Sequence, residues 1–315
     1  MRPSFLATLL LASVLAALGC TPAPKYAFPV VQKYTTRPGD LFYFRPDDGR
    51  FVVLEGRGAL AVAVAPLPRV QAYAHDTHVA VGRPSGGVIE ITSFAQNISA
   101  QQALAITPDG QLLAGGDESG FVTLWDVASG DSPRRWKAAP TPVLAAAFSP
   151  DGSMLAVGLQ KAPGAPLETV RVWSLDAAAP RRAFGGRDVA ALAWTPDGRT
   201  LAAGEANGTV LVAEVLGATA PRSLQSSTAA VAALDFHPSG MFLAAAHADK
   251  RVVLWRVPTG EAVYTFEPEV PADPLFPRGI ERVAFDPGGT RLAVAYSDGD
   301  FRIWDTSVLV KDARK

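Results

Sequence analysis

Five times between residues 106 and 295 the chain returns to one phrase: ITPDGQLLAGG, FSPDGSMLAVG, WTPDGRTLAAG, FHPSGMFLAAA and FDPGGTRLAVA. The turn prolines are Pro108, Pro150, Pro196, Pro238 and Pro287, so the steps are 42, 46, 42 and 49 residues. Pro66, in ALAVAVAPLP, lies one further step of 42 upstream, although it lacks the Asp-Gly that follows the others. A unit this short cannot bury its own apolar face, so copies must stack against one another.

Each part of the phrase has a mechanical role. VLAAAF is a short apolar strand with small side chains, suited to crowding near a ring axis. Ser-Pro-Asp-Gly is a turn, in which proline presets φ, the Asp or Ser bonds local backbone, and glycine takes the position that tolerates positive φ. SMLAVG is a second strand, and a third ends in an aromatic at Trp125, Trp173, Trp255 or Trp304. A period in the low forties with several short strands predicts an all-β fold, a single β-propeller of four-stranded antiparallel blades. Seven blades are expected, with six as the alternative. The seventh would join the hairpin in LFYFRPDDGRFVVLE (residues 41–55) to a strand at SVLVK in the tail. Such closure hides sheet edges.

The strand and turn pattern resembles the WD-repeat propellers over roughly residues 58–305. Trp125, Trp173, Trp255 and Trp304 match that family's third-strand tryptophan, and Asp126 and Asp305 complete the Trp-Asp pair. The resemblance implies that Asp249 and Asp298, six residues before their tryptophans, are turn aspartates that tie hairpin amides. Asn207 holds the same offset before Ala213, where the tryptophan is missing. The family's Gly-His pair is also missing, so the full hydrogen-bonded tetrad cannot be built and the blades must rely on packing.

The N-terminus carries a different signal. Met1-Arg2 precedes an uncharged apolar run, Phe5 to Leu18, which at 14 residues is short of the roughly 20 that span a bilayer. It reads as the h-region of a signal peptide. LAALGC, closing on the chain's one cysteine, resembles a bacterial lipobox; ordinary cleavage after Ala17-Leu18-Gly19 is the alternative. The resemblance implies a signal peptide over 1–19 and a lipidated Cys20. A Pro-rich tether then covers 20–40, followed by the propeller over 41–315. Thr21 in place of Asp points to the outer membrane of a bacterium, facing the periplasm.

Signals of chemistry are sparse. The formal net charge is −1 and there is no basic run, so no nucleic-acid partner is expected. Phosphate loops, nucleophile elbows and paired-histidine zinc motifs do not occur. His75 and His78 flank one carboxylate in HDTH with no third histidine nearby in sequence, so the segment reads as a polar loop. His237 and His247 fall in or beside turns and are expected to face water. On the inner strands Asp235 and Glu281 are the acidic exceptions, too few to cage calcium. No catalytic residue, metal or cofactor is expected.

The long departures from the repeat are LQKAPGAPLET (159–169), the stretch after Pro66, and EPEVPADPLFPRGIE (267–281). All belong to connections that emerge on one face of the ring. Leu275, Phe276 and Arg278 in the last of them form a candidate partner-binding contact. The function expected is a non-catalytic, lipid-anchored scaffold for protein partners; the alternative is an enzyme or small-ligand binder using the central channel.

Overall fold

The computed structural model describes the strands between residues 30 and 96, and residues 101–313 apart from 133, 165–167, 268–278 and 298–299. The fold is an all-β propeller. Among the described residues there are six four-stranded antiparallel sheets and one two-stranded sheet. Five blades are continuous in sequence: blade I over 61–96, II over 101–137, III over 143–184, IV over 189–225 and V over 231–266. Blade VI takes three strands from 280–305 and its outermost strand from Val30–Thr35. The inner strands touch in that order, and Leu41–Phe44, half of the two-stranded sheet with Phe51–Leu54, lies against the inner strand of blade VI.

The repeated phrase builds the blades as its residues dictate. In each turn glycine takes the left-handed backbone, with φ near 70° at Gly110, Gly152, Gly198, Gly240 and Gly289. The residue before each turn proline then closes the loop. Thr195 Oγ1 donates to Asp197 at 2.6 Å and accepts the Thr200 N–H at 3.0 Å, and Thr107 and Ser149 do the same in their own turns. These hydroxyl bonds hold Asp109, Asp151 and Asp197 below the usual carboxylate pKa.

Packing between blades explains the small residues. Five inner strands carry a β-bulge at their start, so the next residue meets the second strand one step late. Opposite it stand Gly116, Gly158 and Gly204 in blades II, III and IV. A Cβ at Gly116 or Gly204 would lie 2.3 or 2.4 Å from the next blade's Val143 or Val231 side chain, and one at Gly158 would lie 2.4 Å from the Val189 carbonyl. Adjacent blades approach that closely because nothing projects there.

Two expectations about the chain ends are corrected. Val30–Thr35, assigned by sequence to the tether, is a strand that pairs antiparallel with Asp300–Asp305, Val30 opposite Trp304 and Thr35 opposite Asp300. The tail segment SVLVK is not a strand of a seventh blade but helix α1, Ser307–Asp312. The strand that precedes it, Asp300–Asp305, already has Val30–Thr35 on its outer edge, so the chain leaves the sheet there. Thr306 instead turns the chain back, its hydroxyl donating to the Gly289 carbonyl at 2.9 Å. Leu309 then packs, fully buried, among Phe242, Phe285 and Trp304, and Asp312 pairs with Arg256 of blade V.

Candidate interaction surfaces and the central channel

The four tryptophans sit where one blade leans on the one before it. Trp125 packs with Ala72, Ala74, Val79 and Val81 of blade I. Trp173 packs with Val122, Leu124 and Phe148, and Trp255 with Leu224 and Val210. Trp304 closes the gap between blades V and VI. All four are between 2 and 6% exposed. The Trp255 indole N–H is buried without an acceptor among the described residues, so this tryptophan works by shape. In blade IV, where Ala213 replaces tryptophan, the cluster holds Trp194, whose indole donates to the Ala147 carbonyl of blade III at 3.1 Å. Asp249 accepts from the Arg251 N–H at 3.3 Å and from Ser227 Oγ at 2.8 Å. Asp298, Leu275, Phe276, Arg278, His75 and Cys20 lie outside the described residues, and of His78 only the backbone, in the strand His78–Ser85, is described.

Sequence reasoning missed a clip repeated between blades. Arg134, Arg182 and Arg222 each stand on the outer strand of one blade and donate to carbonyls in the strand-three turn of the next. Arg134 reaches Leu175 at 2.6 Å and also Ala177, Arg182 reaches Gly217 at 2.6 Å and also Thr219, and Arg222 reaches Val257 and Pro258 at 2.9 and 2.8 Å. The register is shared: their strand-three partners are Leu124, Val172 and Val212. A signal was present, an arginine near the start of each outer strand, but its targets lie some forty residues ahead.

The two histidines expected to face water do not: His237 is 2% and His247 1% exposed. The next blade covers His237, and His247 Nδ1 lies 3.1 Å from the Ala229 carbonyl in the link that leads into its own blade. His237 accepts the Ser239 N–H on Nδ1 at 3.1 Å, which leaves Nε2–H to donate to Gly289 of blade VI at 3.1 Å. Its ring stands edge-on to Phe242 and Phe285. Burial lowers its pKa from the ordinary 6.5, against smaller opposing effects of the Gly289 bond and Asp286. The unfolded chain therefore takes up the proton first, and stability present above pH 6.5 is lost as the pH falls below it. Wild type should show this loss in urea midpoints between pH 7 and 5. His237→Thr, which restores the residue of blades II and IV, should flatten that step while costing about 1–3 kcal/mol at pH 7.5 through lost packing. Asp235, whose pKa is raised, pulls in the opposite sense in both proteins, so their difference isolates His237.

Among the described residues, two concave regions stand out. The central channel, about 660 Å³, is walled by inner strands that are mainly alanine, leucine and valine, with Gln102, Asp235, Glu281 and Arg282 as polar exceptions. A cleft of about 460 Å³ lies on the face of the interblade links, between Lys161–Pro163, Arg187–Asp188 and Ala206–Asn207. The insertion that begins at Leu159 is anchored there: the Gln160 N–H donates to Pro142 of one link at 3.0 Å and the Lys161 N–H to Asp188 of the next at 2.8 Å. Lys161 and Arg187 give the cleft a basic rim beside that occupied carboxylate. Among the described residues no cluster of three or more His, Cys, Asp or Glu could hold a metal ion.

Comparison with known proteins agrees with this geometry. The family model "WD domain, G-beta repeat" matches residues 92–126, 179–212, 219–256 and 277–305. Four stretches of this chain are thus similar to WD40 repeats. Protein HIR1 of Yarrowia lipolytica is 25% identical over 61% of this chain and 22% of its own length. The periodic tryptophan protein 2 homolog of Dictyostelium discoideum is 28% identical over 65% and 21%. Small ribosomal subunit protein RACK1y of Oryza sativa subsp. japonica is 30% identical over 36% and 34%. The chain thus spans between about a fifth and a half of the length of the curated relatives it first matches. These WD40-repeat relatives are eukaryotic, and one is named as a ribosomal subunit protein, which overturns the expected location at a bacterial outer membrane. That expectation rested on the first twenty-one residues, which lie outside the described structure.

Proposed function

We propose that this propeller is a non-catalytic scaffold that docks protein partners on the face carrying the interblade links. The observation that carries the reading is the asymmetry of the two faces. On one, the turns are short and their hydroxyls and carboxylates are consumed internally, as at Thr195 and Asp197. On the other, the 159–169 insertion raises one wall of a cleft rimmed by Lys161 and Arg187. Loops on a rigid scaffold are where recognition concentrates. The long 267–281 link belongs to the same class of connection, and Leu275, Phe276 and Arg278 are its proposed anchors. Cys20 is kept as an acylation site that tethers the ring to a bilayer.

The test is crosslinking followed by pull-down of the full chain, comparing wild type with Leu275→Ala/Phe276→Ala and with Lys161→Glu/Arg187→Glu. Each double variant should release a subset of the captured proteins. Full retention by both would remove this face as the docking surface. For the tether, Cys20→Ser should move the protein to the soluble fraction, and continued membrane retention would sink the acylation proposal.

A further inference from the structure

The inner strands repeat so closely that departures from the repeat stand out. Directly after each bulge the residue is Ala103, Ala145, Ala191 or Ala233 in blades II to V, and Arg282 in blade VI. Two residues further on it is Ala105, Ala147, Ala193 and Ala284 in blades II, III, IV and VI, and Asp235 in blade V. Of ten equivalent positions eight are alanine, and the two charged ones fall on adjacent blades and face one channel.

They are not simply a closed ion pair. Asp235 Oδ2 accepts the Phe285 N–H of blade VI at 2.7 Å, which ties the two inner strands together. Arg282 lines the channel and feels Asp235 electrostatically but makes no hydrogen bond among the described residues, so none of its five donors is spent on them. Both are half-buried, ringed by protein yet still touched by channel water. A planar, poorly hydrated cation beside apolar walls is suited to bidentate recognition of a carboxylate. The volume, about 660 Å³, is in the range of small-molecule sites.

We propose that the channel between blades V and VI binds a small carboxylate with an apolar tail, its carboxylate held by Arg282 and its tail laid on the alanine and leucine wall. Asp235 then tunes the site. Burial pushes its carboxyl up to about 7, against the Phe285 bond and the Arg282 charge. Protonated, it no longer repels an anion and offers it an O–H donor, so binding tightens as the pH falls through 7. Glu281, exposed, is the other acidic group of the lining; apart from Arg282, the remaining lining side chains among the described residues are neutral.

The probe is hexanoate, titrated into the full chain and followed by calorimetry and by NMR at pH 6 and pH 8, with 1-hexanol as the uncharged control. Saturable hexanoate binding is expected, about threefold or more tighter at pH 6, as Asp235 passes from mainly ionised to mainly protonated. Arg282→Gln should weaken hexanoate about tenfold or more while leaving 1-hexanol unchanged. Arg282→Lys should weaken it less. Asp235→Asn, which can still accept the Phe285 N–H, should keep hexanoate binding and lose its pH dependence. Thermal melts of each variant establish that it is folded. No saturable binding at either pH, equal binding by wild type and Arg282→Gln, or 1-hexanol binding as tightly as hexanoate would overturn the proposal. Inorganic phosphate binding more tightly than hexanoate would overturn the choice of carboxylate. None of these results bears on the docking face, which is tested by pull-down alone.

Discussion

Trp173→Ala should cost about 3–5 kcal/mol of stability, the largest loss expected from a single side chain in this ring. The indole is nearly sealed between blades II and III, among Val122, Leu124, Phe148 and Leu155. Its edge meets Trp136 of blade II, centroid to centroid 5.8 Å at 62°. Arg134 lies over the far side of Trp136 at 4.6 Å and from there clips the blade III turn. Truncation therefore leaves a cavity that the rigid sheets on either side cannot collapse into, and it also loosens the stacked pair that positions the clip. Urea unfolding followed by tryptophan fluorescence measures the loss. Trp173→Phe keeps a ring in the gap and should cost less than half as much. Equal stability of wild type and Trp173→Ala would mean that blades II and III are not held by this contact.

The blades were legible because their determinants are local. Proline, a hydroxyl or carboxylate, and glycine at fixed offsets specify a turn whatever surrounds it, and the apolar runs on either side specify strands. What sequence missed depends on partners far away in the chain. Val30–Thr35 reads as the end of a proline-rich tether because its partner, Asp300–Asp305, is some 270 residues downstream. SVLVK has the β-branched composition of a strand, yet the burial of Leu309 among Phe242, Phe285 and Trp304 decides, and it winds into a helix. His237 and His247 look like turn residues because their partners, Gly289 and Ala229, lie 52 and 18 residues away in the chain.

The candidate sites divide along the same line. Asp235 and Glu281 are visible in the inner-strand sequences as acidic exceptions. The importance of Asp235 and Arg282 emerges only once the bulges align every blade residue by residue, which shows them standing in a ring of alanines. The Arg134, Arg182 and Arg222 clips have the same character: three unremarkable arginines in sequence, one repeated device in space. A repeat protein makes its own control experiment, since each blade states what the common architecture needs and any departure marks something particular to that blade.

The turn between the second and third strands offers the sharpest such comparison. Gly120→Ala should be severely destabilising, by about 2–4 kcal/mol, because two independent penalties coincide. The backbone at Gly120 is left-handed, φ +82°, and a Cβ there would lie 2.1 Å from the Ala139 carbonyl and 2.5 Å from that of Thr141. Those carbonyls belong to the link into blade III and cannot swing away, since the Ala138 and Ala139 amides are themselves bonded to the Gly120 carbonyl. Gly208 repeats the geometry in blade IV, with φ +84° and the Ser227 carbonyl at 2.2 Å. Blade V holds Lys250 at the equivalent position, also left-handed at φ +75°, and its ammonium is buried without a hydrogen-bond partner among the described residues. A side chain stands there where blades II and IV have glycine, and the backbone strain remains. Lys250→Gly should consequently stabilise the protein, by about 1 kcal/mol, the opposite sign to Gly120→Ala at the same place in the repeat. Paired thermal and urea melts of the two variants decide it: destabilisation by Lys250→Gly would mean that the lysine makes a contact across the link that outweighs the strain of its backbone.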